Sequence, residues 1–467
     1  MKAARSLFDA QVLARWAHGE WTGEPSRRVE VCGVSQDTRK MESGFLYVAI
    51  RGERDGHAFV HKAFECGAVA ALVDQAWQPA AGLEGQPLIR VADTRKALQD
   101  LAHAWRMKSA AMIIGLTGSS GKTTTKEMTA ACLSGAGRVC ATEGNLNNDI
   151  GLPLSLLKMS ADTAYGVFEM GMNHRGEISV LADVLRPQGA VISSIGNAHI
   201  EFLDSIENIA HEKADLLRAL PQDGFAVLCR ETLCFDILAK ASAAPVTTTS
   251  FVTRDANFFG EIRDVTTGLM RVYERGMSEA INLTSGLPGE HNASNALLAF
   301  ATARCAGVTA QQAVEGLKNV VMPGKRWEVI ERKGVTIVND AYNANPDSMT
   351  AVMKTFMVMP CKGRRILVLG DMFELGAHRE ALHRMVGKEI STCAPEALIA
   401  VGEMATAFMA DEAIACGFPA VRVHLAKTTH EAAQRLSEYV REGDSVLLKA
   451  SRGMKLEQVL EEPSFVC

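Results

Sequence analysis

The stretch that decides the fold reads Ala111-Met112-Ile113-Ile114-Gly115-Leu116-Thr117-Gly118-Ser119-Ser120-Gly121-Lys122-Thr123-Thr124. Its first six residues are an apolar run that predicts a buried strand, and the spacing over residues 122–133 predicts a helix. A glycine-rich turn between a strand and a helix directs backbone N–H groups and the helix N-terminus at an anion. Lys122 can then reach terminal phosphates, and the Thr123 hydroxyl can bind Mg²⁺.

This loop is a variant of the standard phosphate loop, which has a glycine five residues before Gly121, where this chain has Leu116. The alternative is a Gly-Ser turn followed by a chance Lys-Thr pair. We favour the phosphate loop because strand, turn and helix follow one another in the order that the chemistry requires. ATP binding is therefore predicted at Gly118, Ser119, Ser120, Gly121, Lys122, Thr123 and Thr124.

Outward from the loop, apolar runs alternate with helical segments over residues 109–322. Residues 165–168 and 190–195 continue the strand pattern. Continuous apolar strands separated by helices indicate a parallel sheet covered on both faces. We therefore predict a central P-loop ATPase domain built on a parallel sheet.

A third unit, residues 323–467, begins near Met322-Pro323-Gly324. Its apolar runs are residues 335–338, 366–369, 398–401 and 445–448. Helical stretches lie between them, and one opens at Pro346, a residue suited to the first helical turn. The pattern predicts a doubly wound, Rossmann-like α/β domain.

Residues 1–108 are predicted to form a small α/β domain, with helices over 7–16 and 93–107 and a strand over 45–50. At roughly 150 residues per domain, a chain of 467 residues has room for about three. The predicted fold class is thus α/β in three domains: 1–108, 109–322 and 323–467.

Composition excludes several classes of protein. Apolar residues make up 47% and charged residues 22%, which is typical of a globular chain and not of a disordered or fibrous one. The net charge of −5 leaves no global basic field for a nucleic-acid backbone or an anionic membrane. The 11 cysteines are scattered and lack zinc-finger spacing, which favours isolated thiols in a reducing compartment.

The chain is also predicted to be cytoplasmic and to lack a membrane span. No apolar run reaches the ~18 residues that a span needs. Residues 1–10 meet a charge too soon to form the apolar core of a signal peptide.

Two further side chains follow strands of the central domain. Glu169 ends the run 165–168, and His199 comes shortly after the run 190–195. Carboxyl ends of parallel strands face the ligand crevice, and a carboxylate there suits Mg²⁺. A solvated strand-end Glu and an ordinary polar His are the alternatives; for His199 the two interpretations are evenly balanced.

Two other features are ambiguous from the residues alone. Lys213 lies on a predicted helix, and its pattern there indicates a surface lysine. The stretch 145–153 contains Asn145, Asn147 and Asn148, and it reads equally well as a plain loop or as amides that bind a sugar or phosphate.

Taken together, these motifs resemble the Mur ligase family, the ATP-dependent ligases of peptidoglycan precursor synthesis. The resemblance covers nearly the whole chain, and its specificity comes from the order and spacing of modest motifs. They are residues 117–123, 145–153, 169–171, 197–199, 289–296, 323–326, 339–342 and 449–455. Ala450 stands where the family commonly has Gly.

Within the family, residues 340–347 and 369–376 resemble the branch that adds a dipeptide. The Asp-Asn-Pro-Arg motif of the diaminopimelate-adding branch is absent. Residues 35–39, 50–52 and 55–57 resemble a domain that binds a UDP-sugar. The resemblance therefore implies UDP-N-acetylmuramoyl-tripeptide and D-alanyl-D-alanine as substrates, an acyl-phosphate intermediate, ATP with two Mg²⁺ ions, and a monomer.

The resemblance also implies roles for individual residues. Lys122, His199 and Lys213 would be catalytic, and Thr123, Glu169, His199 and Lys213 would serve the metal ions, with Lys213 carbamylated. Asn292, Asn295, Arg326 and Asp340 would bind ATP together with the loop. The substrate would be bound by Ser35, Asp37, Thr38, Arg39, Arg51, Asn145, Asn147, Asn148, Asn343 and Asn345.

Because Arg326 and Asp340 lie beyond the predicted boundary at 322, we expect the third domain to close onto the central one when ligands bind. Competing interpretations are another amide ligase of this fold, diaminopimelate-adding or folylpolyglutamate-forming, and a P-loop ATPase or nucleotide sensor without ligase activity. A P-loop ATPase would be expected to have a hydrophobic strand that ends in a Walker B Asp, whereas the strand here ends in Glu169. A nucleotide sensor has little need for a second metal site.

Overall fold

A computed structural model describes residues 7–23, 29–79 and 82–461. It is an α/β structure whose three main sheets lie one in each of the predicted segments, which confirms the fold class. The boundaries after residues 108 and 322 stay predictions. Residues 1–6, on which part of the signal-peptide argument depends, lie outside the described ranges.

The N-terminal unit is a five-stranded sheet with helices packed against it. Its elements are β1 (Phe8–Asp9), α1 (Ala10–Trp16), β2 (Glu20–Trp21), β3 (Glu30–Val31), β4 (Gly33–Ser35), β5 (Phe45–Val48), α2 (Val60–Glu65), β6 (Ala68–Asp74), β7 (Leu88–Val91) and α3 (Thr94–Lys108). The sheet order is β2-β7-β6-β5-β4, with β4 to β7 parallel. The parallel strands therefore end at one common edge.

The helix predicted over 7–16 begins later than expected. Phe8 and Asp9 pair with Glu30 and Val31 as a two-stranded ribbon. The Asp9 carboxylate then accepts a hydrogen bond from the backbone N–H of Val12 at 2.8 Å, which caps α1. Strand pairing competes with the helical pattern at this end because Phe8 is buried in the core.

The central unit is built on nine strands. Its elements are β8 (Met112–Thr117), α4 (Lys122–Ser134), β9 (Val139–Ala141), α5 (Gly151–Leu156), β10 (Tyr165–Glu169), α6 (Glu177–Leu185), β11 (Gly189–Ile192), α7 (Ile200–Leu203), α8 (Ile206–Lys213), α9 (Asp215–Arg218), β12 (Phe225–Cys229), α10 (Phe235–Ala241), β13 (Val246–Ser250), β14 (Phe258–Asp264), β15 (Leu269–Glu274), β16 (Ile281–Thr284), α11 (Glu290–Cys305) and α12 (Ala310–Leu317). Their order is β16-β15-β14-β13-β12-β11-β8-β10-β9.

The prediction of a parallel sheet holds for most of these strands but not for all. Strands β8 to β14 pair in parallel, while β15 is antiparallel to both β14 and β16. The strand order reverses at β8, because β10 lies on one side of it and β11 on the other. In such sheets the ligand crevice opens where the order reverses, and the phosphate loop follows β8.

The third unit has the six-stranded order β17-β18-β22-β19-β20-β21, with β17 antiparallel. Its elements are β17 (Glu328–Arg332), β18 (Val335–Asn339), α13 (Pro346–Val358), β19 (Arg365–Gly370), α14 (Arg379–Cys393), β20 (Ala397–Val401), α15 (Ala410–Ala415), β21 (Val423–Ala426), α16 (Thr429–Tyr439) and β22 (Ser445–Lys449). Helix α13 begins at Pro346, as predicted. Among the described residues, no helix is long and apolar enough to cross a membrane.

Candidate active site

The phosphate loop joins β8 to α4 and is tied to the segment after β11. Ser119 Oγ accepts a hydrogen bond from the Gly196 N–H at 2.9 Å, and the Ser120 N–H donates to Ser194 Oγ at 2.8 Å. Gly121 caps α4 with φ +76°, and a Cβ there would lie 2.5 Å from Asn295 Oδ1. Glycine is needed at this position by both backbone conformation and space.

Lys122 is half-buried at the start of α4, and its Nζ donates to the Gly118 carbonyl at 2.8 Å. Burial lowers the pKa of Lys122, and the charges of Glu169 and Glu374 oppose that effect. The side chain thus folds back over the loop, where its charge faces any anion that the loop holds.

Glu169 ends β10 and is only 2% exposed. Its two carboxylate oxygens accept hydrogen bonds from Thr123 Oγ1 and from Asn147 Nδ2, each at 2.7 Å. These are hard oxygen ligands beside the phosphate loop, so the donor set suits Mg²⁺.

The asparagine-rich stretch forms a loop whose amides make hydrogen bonds within the protein. Asn147 contacts Glu169, whereas Asn148 Oδ1 accepts the Gly151 N–H at 2.8 Å and starts α5. Asn145, Asn147 and Asn148 all line the cleft described below.

His199 lies before α7 with φ +64°, a conformation uncommon outside glycine. Its Nδ1 lies 2.8 Å from Oε2 of Glu374, which belongs to the third unit. Burial is the main cause that lowers the pKa of His199, while contact with His199 lowers the pKa of Glu374. Sequence reasoning singled out the stretch 369–376 but not Glu374 itself.

Lys213 is not the surface lysine that its helical pattern suggested. It ends α8 and is 1% exposed. Its neighbour Glu212 accepts the Gly176 and Ile178 N–H groups at 2.9 and 3.1 Å, and the Lys213 ammonium has no hydrogen-bond acceptor among the described residues. Burial, reinforced by the charge of Lys122, lowers the pKa of Lys213 well below its ordinary value.

Asn292 and Asn295 lie buried in the first turns of α11. Asn295 Oδ1 accepts from Thr125 Oγ1 at 3.0 Å, and Asn292 Nδ2 donates to the Pro288 carbonyl at 2.8 Å. The structure therefore brings both asparagines beside α4, behind the phosphate loop.

The third unit contributes the opposite wall. Arg326 lies over the ring of Tyr342 at 4.0 Å, and Asp340 accepts hydrogen bonds from the Trp327 N–H and from Lys449 Nζ. The Asn343 carbonyl accepts from the same Lys449 at 3.0 Å.

Asn345 caps α13 and also crosses to the central unit. Its Oδ1 accepts the Ser348 N–H at 2.8 Å, and its Nδ2 donates to Ser120 Oγ at 2.9 Å. Nearby, Asp347 accepts the Asn197 N–H at 2.8 Å. Sequence reasoning placed Asn345 among the substrate ligands and did not foresee its contact with the phosphate loop.

These two walls enclose a cleft of about 660 Å³. Most of the predicted ATP, metal and third-domain residues line it, namely Ser119, Ser120, Gly121, Lys122, Thr123, Thr124, Glu169, His199, Asn292, Asn295, Arg326, Asp340, Asn343 and Asn345. Gly118 and Lys213 are not among the lining residues. Within the described ranges, no three His, Cys, Asp or Glu side chains form a ready metal cluster.

The predicted N-terminal substrate residues lie apart from this cleft. Ser35 ends β4, and Thr38 and Arg39 follow in a short 3₁₀ helix capped by Asp37. Arg39 makes a bidentate contact with Asp37, which lowers the pKa of Asp37 to about 2. Arg51 follows β5, is 59% exposed, and pairs through Nε with Asp74 at the end of β6. All these residues lie at the common edge where the parallel strands end.

His57 is a further buried residue at this edge that sequence reasoning did not single out. Its Nε2 accepts the Asp74 N–H at 3.0 Å, so Nδ1 carries the proton and donates to Asp55 at 2.6 Å. His57 thereby links the Asp55 turn to Asp74, the partner of Arg51.

Three family models match the chain: Mur ligase family, catalytic domain, over residues 30–106; Mur ligase middle domain over 116–303; and Mur ligase, glutamate ligase domain, over 325–452. The UDP-N-acetylmuramoyl-tripeptide--D-alanyl-D-alanine ligase of Bacillus subtilis (strain 168) is 36% identical over 457 residues, covering 96% of this chain and 97% of that relative. The same-named ligase of Escherichia coli (strain K12) is 34% identical, covering 91% and 92%.

Solved structures agree with these sequence matches. A crystal structure of MurF from Acinetobacter baumannii superposes with a TM-score of 0.87 at 28% identity, covering 98% of each chain. The MurF ligase from Thermotoga maritima in complex with ADP superposes with a TM-score of 0.78 at 25% identity, covering 93% of this chain and 97% of that one. The resemblance drawn from the motifs is thus confirmed over nearly the whole chain.

Proposed function

The chain belongs to the Mur ligase family, and from this premise we propose that it joins D-alanyl-D-alanine to UDP-N-acetylmuramoyl-tripeptide at the expense of ATP. The observation that carries the proposal is the single cleft in which the phosphate loop and Glu169 face Arg326, Asp340 and Glu374 of the third unit. The products are ADP, phosphate and UDP-N-acetylmuramoyl-pentapeptide, a precursor of peptidoglycan.

The reaction has two steps under this proposal. The terminal carboxylate of the tripeptide attacks the γ-phosphate of ATP and forms an acyl phosphate. The amine of D-alanyl-D-alanine then attacks the acyl carbonyl, and phosphate leaves from a tetrahedral intermediate. In each step the cleft must align a nucleophile with the atom that it attacks, first the γ-phosphorus of ATP and then the acyl carbonyl carbon.

The first step brings two anions together, so their repulsion must be offset by positive charge in a water-poor site. Lys122 and Arg326 supply that charge from opposite walls, together with the backbone N–H groups at the start of α4. Asn292 and Asn295 are proposed to contact the adenine, and Asp340 the ribose side of the nucleotide.

The residues present fit the two Mg²⁺ ions that the family implies. Thr123 and Glu169 would hold one ion, and His199 with Lys213 the other. Bound Mg²⁺ would neutralise phosphate and carboxylate charge. Because the protein provides few ligands at either place, the remaining ones would come from the phosphates and the substrate carboxylate.

Carbamylation of Lys213 is part of the proposal. Burial lowers the pKa of Lys213, which favours its neutral amine, and the neutral amine is the form that reacts with CO₂. The product is a carboxylate-like group, which would convert a buried amine into a metal ligand or into a charge partner for the ion near His199.

The UDP part of the substrate is proposed to bind at the edge of the N-terminal sheet, at Ser35, Asp37, Thr38, Arg39 and Arg51. Asn145, Asn147 and Asn148 then lie towards the cleft, where the peptide must arrive. As the family resemblance implies, we also propose a monomeric, cytoplasmic enzyme that uses neither nucleic acid nor membrane.

The test is phosphate release with ATP, Mg²⁺ and UDP-N-acetylmuramoyl-tripeptide, with and without D-alanyl-D-alanine. We expect release that depends on the dipeptide and a UDP-linked pentapeptide by mass spectrometry. Release that responds instead to diaminopimelate or glutamate would move the chain within the family. Release that ignores every amine would contradict ligase activity.

A further inference from the structure

Five carboxylates line the cleft, and four of them have both oxygens engaged by the protein. Glu169 is held by Thr123 and Asn147. Glu177 is held by the Asn173 N–H and by His174. The remaining two, Asp340 and Asp347, are held by Trp327 with Lys449 and by two nitrogens of Asn197.

The fifth carboxylate, Glu374, is different. Its Oε2 lies 2.8 Å from His199 Nδ1, while its Oε1 has no hydrogen bond or ion pair with any described residue. The side chain is 46% exposed and faces the cleft from the third unit. A carboxylate with one oxygen unengaged can accept hydrogen bonds from a ligand in the cleft.

The backbone holds Glu374 firmly although its conformation is unfavourable. Its φ is +61°, which is uncommon for a residue other than glycine, asparagine or aspartate. The two preceding N–H groups are fixed, that of Met372 to His383 Nε2 at 3.0 Å and that of Phe373 to Ser451 Oγ at 2.8 Å. An unfavourable backbone conformation that is held in place by the surrounding structure is typical of functional positions.

The charge of the cleft indicates what this ligand is. Lys122, Arg326, Lys449 and Arg452 line it and suit the phosphates and the carboxylate of the first step. The nucleophile of the second step arrives as an ammonium, which the same cations repel. It therefore needs an anion beside the acyl group, and the carboxylate must not already be neutralised by protein donors.

We propose that Glu374 binds the ammonium of the incoming amine substrate and so selects and positions the nucleophile of the second step. The ammonium then loses a proton to solvent, and the neutral amine attacks the acyl carbonyl as phosphate leaves. This inference rests on the proposed function and adds a specificity-determining residue to it. Because the third unit carries Glu374 while the central unit carries His199, the ammonium site is complete only when the two units are in contact.

The first test compares Glu374→Gln with wild type in steady-state kinetics. Loss of a charge-assisted contact is expected to raise KM for D-alanyl-D-alanine about 10- to 100-fold. KM for ATP and for UDP-N-acetylmuramoyl-tripeptide should change little. Glu374→Asp keeps the charge and should recover part of the affinity. Glu380→Gln is the matched control, since Glu380 is an exposed carboxylate of the third unit that pairs with Arg384.

The second test separates the two chemical steps. Positional isotope exchange in labelled ATP, with the tripeptide substrate but no dipeptide, reports acyl-phosphate formation and should be preserved in Glu374→Gln. Hydroxylamine, a nucleophile that is neutral at neutral pH, should react with the acyl phosphate equally well in variant and wild type.

Three results would overturn the inference: an unchanged KM for the dipeptide, loss of isotope exchange, or weaker Mn²⁺ binding by electron paramagnetic resonance. The last would mean that Glu374 serves to orient His199 towards a metal ion. Failure of the proposed function is seen separately, because wild type itself would then form no pentapeptide.

Discussion

At the scale of single residues, the site depends on two lysines that play opposite electrostatic parts. Burial lowers the pKa of Lys122, the charges of Glu169 and Glu374 oppose that shift, and the side chain folds over the phosphate loop. Lys213 is deeper, has no acceptor among the described residues, and lies where burial disfavours its charge. The first suits a phosphate clamp, and the second suits a reactive amine.

Lys122→Ala is expected to lower kcat/KM for ATP at least 1,000-fold, because removing one preorganised charge contact at a developing anion costs about 10²–10³ in kcat and Lys122 also holds the nucleotide. The loop backbone forms without this side chain, so Tm should stay within a few degrees. Lys96→Ala, at an exposed lysine of α3, is the control. Turnover within a few-fold of wild type would contradict the phosphate-loop assignment.

The pKa of Lys213 leads to a stability prediction. Lys213 binds a proton more tightly in the unfolded chain than in the folded one, because its pKa is lowered on folding. The free energy of unfolding therefore falls as the pH drops below the ordinary lysine pKa. In CO₂-free buffer, Lys213→Met should therefore be inactive yet melt about 2–4 °C above wild type at neutral pH. The difference should shrink towards high pH.

The same variant pair tests carbamylation. A ¹³C carbamate signal should appear in wild type after exposure to ¹³CO₂ and be absent from Lys213→Met. If calorimetry found the variant less stable than wild type in CO₂-free buffer, that result would contradict a lowered pKa for Lys213.

At the scale of secondary-structure elements, α13 does two things with one residue. Asn345 caps the helix in a reciprocal hydrogen-bond pair with Ser348, and it also donates to Ser120 in the phosphate loop. One side chain thus contributes both to helix stability and to contact between the units. A comparable cap elsewhere in the third unit makes it possible to measure the two effects separately.

Asn345→Ala should cost about 1 kcal/mol of stability through loss of the cap. Thr428→Ala removes the comparable cap of α16, where Thr428 accepts the Glu431 N–H. We expect similar Tm changes in the two variants, but a fall in kcat/KM for ATP, about tenfold, only in Asn345→Ala. Equal kcat/KM values for ATP in both variants would show that the contact with Ser120 does not contribute to activity.

At the scale of the whole molecule, the third unit contacts the central one through both polar and apolar side chains. The polar contacts include Asn345 with Ser120, Asp347 with Asn197, and Glu374 with His199. Each of these joins a residue near the nucleotide site to one beyond residue 322. Buried apolar residues of both units also belong to one continuous cluster. Because the nucleotide site lies between two units, we expect them to separate and close with ligand binding.

Small-angle scattering should therefore show a smaller radius of gyration when ATP analogue and UDP-N-acetylmuramoyl-tripeptide are both present than when neither is. Asp347→Ala removes one contact and should need higher ligand concentrations to reach the compact form. An unchanged radius in wild type with both ligands bound would contradict closure.

The sequence by itself determined the elements and the chemistry that is local in the chain. The run 111–124 specifies strand, turn and helix because its apolar pattern, glycines and Lys-Thr pair act within one short segment. Likewise, Pro346 starts α13, and Glu169 ends a strand beside the loop. The antiparallel β15 and β16 were not predicted, since their pairing depends on neighbours rather than on their own periodicity.

Only the tertiary structure decided burial and partnership across the units. Lys213 has the helical context of a surface lysine, and packing alone puts it in the interior. Glu374 acquires a role only through its distance to His199, some 175 residues away along the chain. The physical reason is that desolvation and Coulomb interactions depend on separation in space, which local sequence does not encode.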